Sequence, residues 1–322
     1  MISFLTNAIR VGIIFLFGCT GEIITEKSGH LNLGVPGVMF VGAASGCVVE
    51  SMIVNAAGGV DAMNGFTVFL AIFLPLLATL LGGALMGLIF SFFTVTLRAN
   101  QNVTGLVINI FGEGLCYFML AGVSRNAFSY SQASKFFRAA LPFASKLGWF
   151  GELFLSYGFL VYLAIAIAII ASFVLGRTRV GLHLRAVGEN PGTADAAGIN
   201  VTAYRYGATC IGCAIAACGG FFAVMDYLCG SWSYSIDAFG WLAIALVIFT
   251  MWKPWLSIIG SILFGALYTL SSALHVPITI QPIFEIIPYV VTILVLVITS
   301  IRNKRENQPP AGLGLSYFRE DR

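Results

Sequence analysis

Apolar residues run in long blocks along almost the whole chain, at approximately 4–24, 31–54, 66–97, 103–123, 154–176, 204–226, 237–252, 255–274 and 284–301. A block of about 20 apolar residues is the length a helix needs to cross the hydrocarbon of a bilayer. The pattern predicts an all-α polytopic membrane protein, a single transmembrane domain over residues 1–322 with about nine transmembrane helices, eight to ten in range. Two blocks depart from the ideal length. Segment 66–97 exceeds what a bilayer requires and is expected to tilt or to project beyond the lipid. Segment 237–252 is too short for a comfortable crossing and is expected to be partly re-entrant.

Charge gives the orientation. Arg177, Arg179, Arg185 and Arg205 crowd the polar stretch 176–205, and Arg302, Lys304, Arg305, Arg319 and Arg322 lie in the tail 302–322. The intervening blocks put both regions on one side, and the positive-inside rule makes that side the cytoplasm, with the N-terminus outside. Arg98 and Lys27 fall on the same inner side. Arg125, Lys135, Arg138 and Lys146 in the 124–153 loop oppose this, and the loop is read as an amphipathic helix lying on the outer surface. The opening MISFLTNAIRVGIIFLFGCTGEII lacks a basic leader and a small-residue cleavage site, so it is read as a retained first span.

Composition agrees: 58% of residues are hydrophobic and only 10% charged, against about 25% charged in a soluble domain. No dense basic patch with interleaved aromatics points to nucleic acid. Of the seven cysteines, six sit inside apolar blocks and Cys229 just past one, which fits small hydrophobes. Cys210 and Cys213 form a C-x-x-C with no second ligand pair at zinc spacing. There is no G-x-x-x-x-G-K-[ST] loop for nucleotide phosphates. His30, His183 and His275 lie at block ends or in loops, so no metal site, cofactor or enzyme chemistry is indicated.

Small residues mark helix packing. Ala208, Gly212, Ala216 and Gly220 recur every four residues, and Gly83 and Gly87 form a G-x-x-x-G, the register that lets backbones approach in lipid. Polar residues mark candidate function. Asn102, Asn109 and Glu113 share one face of the 103–123 helix. An acid near mid-membrane costs about 2.5–3.5 kcal/mol, so that face is expected to turn inward, either to line a solute path or to bond a neighbouring helix. Asn32, Gly34, Pro36, Gly37 and Gly42 interrupt the run SGHLNLGVPGVMFVGAASG (28–46), and CGSWSYSIDAFGW (229–241) is a weaker counterpart. Broken backbone at membrane depth survives where it lines a cavity or is buried in protein. The alternative is a kinked helix and a loop. The stretch 176–205 is longer than a turn needs. Its pattern predicts a short helix, a Gly–Glu–Asn–Pro–Gly break and a second short helix, either a docking element for a cytoplasmic partner or a solvated connector.

Three motifs carry a family resemblance. LRAVGENPGTADAAGINV resembles the coupling loop of ABC importer permeases of the branched-chain amino acid, ribose and nucleoside class. EKSGHLNLGVPGVMFVGA is similar to that family's early motif, and QPPAGLGLSYFREDR to the C-terminus of its nucleoside-type members. The resemblance implies the membrane subunit of an inner-membrane importer for a small polar solute, nucleoside or nucleobase first, with ribose-type sugar or branched-chain amino acid as alternatives. It implies cytoplasmic ATP-binding subunits that hold the ATP, a second permease subunit (the same chain or a different one) and an external substrate-binding lipoprotein. By that likeness the coupling contact falls on Arg185, Gly188, Glu189, Asn190, Ala194, Gly198 and Asn200, and the path near Asn32, Gly34, Asn109 and Glu113. The rivals are an ion-coupled carrier, for which only Glu113 stands out as an intramembrane acid, a membrane-embedded enzyme, and a scaffold subunit with no path.

Overall fold

The computed structural model describes residues 2–121, 129–140, 148–274, 277, 280–302 and 308–318. The basic residues Arg125, Lys146, Lys304, Arg305, Arg319 and Arg322, His275, and the side chain of Arg302 lie outside this description. The described residues form helices and no strand. They are α1 (Ile2–Lys27), α2 (Val35–Ala56), α3 (Gly65–Ser91), α4 (Gln101–Ala121), α5 (Ser129–Phe137), α6 (Gly148–Phe154) and α7 (Phe159–Arg177). Then follow α8 (Arg179–Glu189), α9 (Pro191–Ala196), α10 (Val201–Phe222), α11 (Ile236–Phe249), α12 (Pro254–Ala273) and α13 (Gln281–Arg302).

Nine of these helices cover the nine apolar blocks. Seven are long and apolar enough to cross a membrane, whereas Ile236–Phe249 and the apolar run Pro282–Ile298 of α13 are shorter. By length and composition the expected nine crossings therefore stand at seven among the described residues. The long block is real: Gly65–Thr96 runs 32 residues, its last five as a π-turn. That is about 48 Å of helix against a core of about 30 Å.

Burial separates centre from rim. The apolar windows of α10 and α2 are 83% and 72% buried, those of α3 and α4 only 28%. α10 is the spine, flanked by α1, α2 and α3. Its four-residue small-residue register works as expected, because the backbones meet almost directly. A Cβ on Gly21 of α1 would overlap the Gly212 carbonyl, and one on Gly220 would overlap the Met39 carbonyl of α2. Gly83 and Gly87 of α3 bring that helix onto a neighbouring face of α10, where a Cβ on Gly83 would lie 2.6 Å from Cys213 O and one on Gly87 2.8 Å from Thr209 O.

The interrupted run 28–46 resolves differently from a kink. Residues 28–34 are irregular, Gly29 takes φ +90°, and α2 then starts with Pro36 in its first turn. There the missing N–H has no intrahelical acceptor to lose, so Pro36 opens the helix rather than bending it. The 124–153 region is likewise not one surface helix. It contains the short α5 and α6, and α5 docks by burying Tyr130, Ala133 and Phe137. Phe137 supplies the anchor, 5.1 Å edge-on from Phe221.

Gly220→Val should leave little protein that elutes as one species after extraction, since overpacking costs about 1–3 kcal/mol and backbone lies in the way. Gly207→Ala, on the same helix with nothing within 4 Å, should elute like the parent.

Candidate functional site

The stretch 228–235 between α10 and α11 sits beside the middle of α4. Asn109 Nδ2 of α4 donates to Asp237 Oδ1 at 3.3 Å, and two turns on Tyr117 stacks on Tyr234 with centroids 4.8 Å apart. Glu113 lies between them on the same face. Phe40 of α2 adds a third wall, 6.5 Å from Trp232 and 6.2 Å from Tyr234. Irregular backbone is thus held at mid-helix depth, and α11 starts there. Its 14 residues span about 21 Å and end near Trp252, whose Nε1 donates to Glu26 at the end of α1. At that length the short block falls short of a full crossing.

This wall combines flat aromatic faces with unsatisfied polar atoms. Asn109 Oδ1 and Trp232 Nε1 are buried without a hydrogen-bond partner. Tyr117 and Tyr234 remain about half exposed, 50% and 46%. A donor among aromatic rings and an acceptor two helical turns away suit a planar polar solute. Sequence reading singled out Asn109 and Glu113 but missed Asp237, Trp232, Tyr234, Tyr117 and Phe40. Three of these stand in the broken motif CGSWSYSIDAFGW, whose density of aromatics was the available signal.

Asn32 and Gly34 are placed elsewhere. Asn32 is buried; its N–H donates to Glu22 Oε1, its Oδ1 accepts from Gly34 N–H, and its Nδ2 donates to Cys213 Sγ at 3.5 Å. Gly34 abuts Gly105 O and Ile108 of α4. Together they shape the 28–34 loop, which leads into α2 one turn before Gly37, where that helix packs on Asn109. Intramembrane acids are also more numerous than Glu113 alone. Glu22, Glu26, Glu50 and Asp226 are all buried within spanning helices, and Asp226 pairs with Arg10 at 3.8 Å.

The polar stretch 176–205 forms the predicted pair of short helices, each started by its own cap. Thr178 Oγ1 accepts from Gly181 N–H, Asn190 Oδ1 from Thr193 N–H, and Asn200 Oδ1 from Ala203 N–H at the start of α10. Val187, Ala194 and Val201 close a small core beneath. The coupling residues named from sequence divide into two sets. Arg185, Glu189, Asn190, Gly198 and Asn200 are exposed, whereas Gly188 and Ala194 are buried. Gly198 takes φ +83°, the turn between α9 and α10. Gly188 presses on the Lys27 carbonyl, and its would-be Cβ lies 3.2 Å from Gly29 N.

The segment 308–318 was not foreseen as part of this face, yet it straps across it. Gly312 N–H donates to Gly188 O at 2.9 Å and Gly314 N–H to Gly29 O at 3.1 Å. Gln101 bridges Leu31 N–H and Leu315 O, and Tyr317 OH donates to Asp195 Oδ2 at 2.8 Å. The hairpin, the 28–34 loop and the start of α4 are tied at one end of the bundle. His30 beneath them is neutral: burial, then the Arg205 charge, pushes its imidazole down to about 3.

Residues 4–296 match the family model described as branched-chain amino acid transport system / permease component. The nucleoside ABC transporter permease NupC of Lactococcus lactis is 33% identical over 87% of this chain and 87% of its own. The guanosine ABC transporter permease NupQ of Bacillus subtilis is 29% identical over 86% of this chain and 85% of its own. A Haloferax volcanii ABC permease provisionally assigned to glucose, TsgC13, is 30% identical over 98% of this chain and 97% of its own.

Asn190→Ala should raise amide exchange across residues 191–196 about fivefold, the equivalent of the ~1 kcal/mol a lost N-cap costs, with exchange in α10 unchanged.

Proposed function

This chain belongs to the branched-chain amino acid transport system / permease component family and is an ABC transporter permease, a multi-pass membrane subunit; from that we propose that it imports nucleosides or nucleobases. The observation that carries the substrate class is the aromatic wall of Phe40, Tyr117, Trp232 and Tyr234, with a partnerless Trp232 Nε1 in it and a partnerless Asn109 Oδ1 two turns along α4 from Tyr117. A heterocyclic base stacks on such faces whatever its identity, and its edge offers the complementary donor and acceptor. Two curated relatives named for nucleoside and guanosine transport favour this reading. The relative assigned to glucose keeps a ribose-type sugar as the second reading, because sugar rings also lie on aromatic faces.

An ABC permease works with ATP-binding subunits, which hold the nucleotide. In our reading they grip the exposed set Arg185, Glu189, Asn190, Gly198 and Asn200, while Gly188 and Ala194 keep the hairpin rigid. A push on α8 passes through Gly188 to Lys27 and Gly29, the end of α1 and the loop that starts α2. Rocking of α1 and α2 against α4 and α11 would open the wall to either side in turn. The distribution of charge supports a cytoplasmic hairpin and an external N-terminus. Lys27, Arg98, Arg177, Arg179, Arg185, Arg205 and Lys253 gather at the hairpin end, against Arg10, Lys135 and Arg138 at the other. A second permease subunit would face the half-exposed wall, and an external lipoprotein would deliver the solute.

Cells or proteoliposomes carrying the whole transporter should accumulate labelled guanosine in proportion to ATP, without competition from glucose or leucine. Tyr117→Ala or Trp232→Ala should raise the KM for guanosine by about tenfold, within the 1–3 kcal/mol that one base stack contributes. Uptake of glucose that guanosine does not compete with would overturn the substrate assignment. In the same assay Glu189→Ala combined with Asn190→Ala should reduce uptake by an order of magnitude or so while the protein remains in the membrane at normal level.

A further inference from the structure

A second cleft, distinct from the aromatic wall, opens at the hairpin end. It encloses about 460 Å³ between the end of α3, the α9–α10 junction and the strap, with Arg98, Asp195, Val201, Thr202, Arg205 and Tyr317 on its walls. Arg205 is the unusual member. It is only 2% exposed, and its Nε and Nη2 have no hydrogen-bond partner. A guanidinium carries five donors, and leaving them unpaired away from water costs more than any ordinary missing hydrogen bond. Such a group is retained where something else supplies the acceptor.

The rest of the cleft has one electrostatic sense. α10 begins at its floor, so the first N–H groups, those of Val201 and Thr202, have no intrahelical acceptor and carry the positive end of a 22-residue helix. Arg98 stands on the facing wall. Its backbone is held at φ +57° after the π-turn of α3, and its guanidinium lies 4.7 Å over the Phe318 ring. The single acid, Asp195, accepts from Tyr317 OH. Two guanidiniums and a helix N-terminus against one carboxylate leave a net positive hollow.

We propose that this cleft binds a phosphate-type oxyanion, held by Arg205 from within, Arg98 from the rim and the first amides of α10. Tetrahedral oxyanions match this donor set: a planar fork reads two oxygens, and helix amides read a third. Two sources share the chemistry. One is a free phosphate compound from solution. The other is the phosphodiester of an anionic lipid, since the cleft opens beside the lipid-facing end of α3, where Phe93 and Leu97 are 42% and 56% exposed. Because Tyr317 of the strap forms part of the wall, and Phe318 next to it lies under Arg98, an occupant would also fasten the strap to the hairpin.

The test uses the full-length protein in phosphatidylcholine nanodiscs, followed by its thermal midpoint. One arm titrates inorganic phosphate at constant ionic strength against chloride. The other replaces part of the phosphatidylcholine with phosphatidylglycerol. The proposal expects a saturable rise in at least one arm, phosphate alone marking a soluble ligand and phosphatidylglycerol alone a headgroup. Arg98→Gln should weaken that response about tenfold or more, as loss of a charge-assisted contact does, and Arg177→Gln, at the same end but outside the cleft, should not. Arg205→Gln should abolish it; where that variant does not fold, Arg98→Gln against Arg177→Gln carries the decision. No response in either arm overturns the proposal, as does an equal response in Arg98→Gln and parent. A response seen only after Glu320→Gln and Asp321→Asn also overturns it, since the cleft would then be taken by the chain's own tail.

Discussion

Backbone-to-backbone contact around α10 is the constraint from which the rest of the structure follows. Lipid gives helices no hydrophobic reason to associate, so they hold together by close van der Waals approach, which glycine and alanine allow. Gly21 meets Gly212, Gly220 meets Met39, and Gly83 meets the chain at Cys213. With α1, α2 and α3 fixed on three sides of one spine, α4 can be seated on α2 through Gly37 and Gly112 and present its polar face in a single orientation. The same bundle holds the irregular 228–235 stretch against Phe40 of α2 and Tyr117 of α4.

The hairpin and the aromatic wall are joined by a continuous run of packed backbone. The hairpin packs on α7 through Gly181, set against the Val174 carbonyl, and on the end of α1 through Gly188, set against Lys27 and Gly29. From there the 28–34 loop leads directly into α2, which contributes Phe40 to the aromatic wall and Gly37 to the contact with α4. The strap adds a parallel link, from Gly188 and Asp195 to Gly29 and Gln101. In the proposed cycle, a displacement delivered to the hairpin would reach the wall through packed backbone rather than through flexible side chains.

Much of this was legible along the chain. The nine apolar blocks became nine helices, the short block became a helix of 14 residues, the small-residue register marked the spine, and the Asn190–Pro191 break separated two short helices. What was not legible depends on contacts between distant residues. Asn109 and Asp237 stand 128 positions apart, and nothing in either local pattern announces the pair. The strap is a stretch of Gly and Pro without periodicity, and its role exists only because Gly188 and Gly29 lie beneath it. Asn32 was set near the path by family likeness and its place in a broken apolar run, and its bonds to Glu22, Gly34 and Cys213 could not be read from the chain. Pro36 looked like a kink because position along a helix decides whether proline bends or starts it, and the helix start was hidden by the apolar residues on both sides.

The central claim is that solute passes along the wall between α4 and the 228–235 stretch. Its most direct measurement is the reactivity of Ser233→Cys, in a background with Cys229 changed to Ser, toward a membrane-impermeant thiol reagent applied to the transporter in liposomes. The account predicts that the thiol reacts through water and that guanosine slows the reaction, whereas leucine does not. A thiol that stays unreactive under all conditions, or reacts at the same rate with guanosine present, would contradict it.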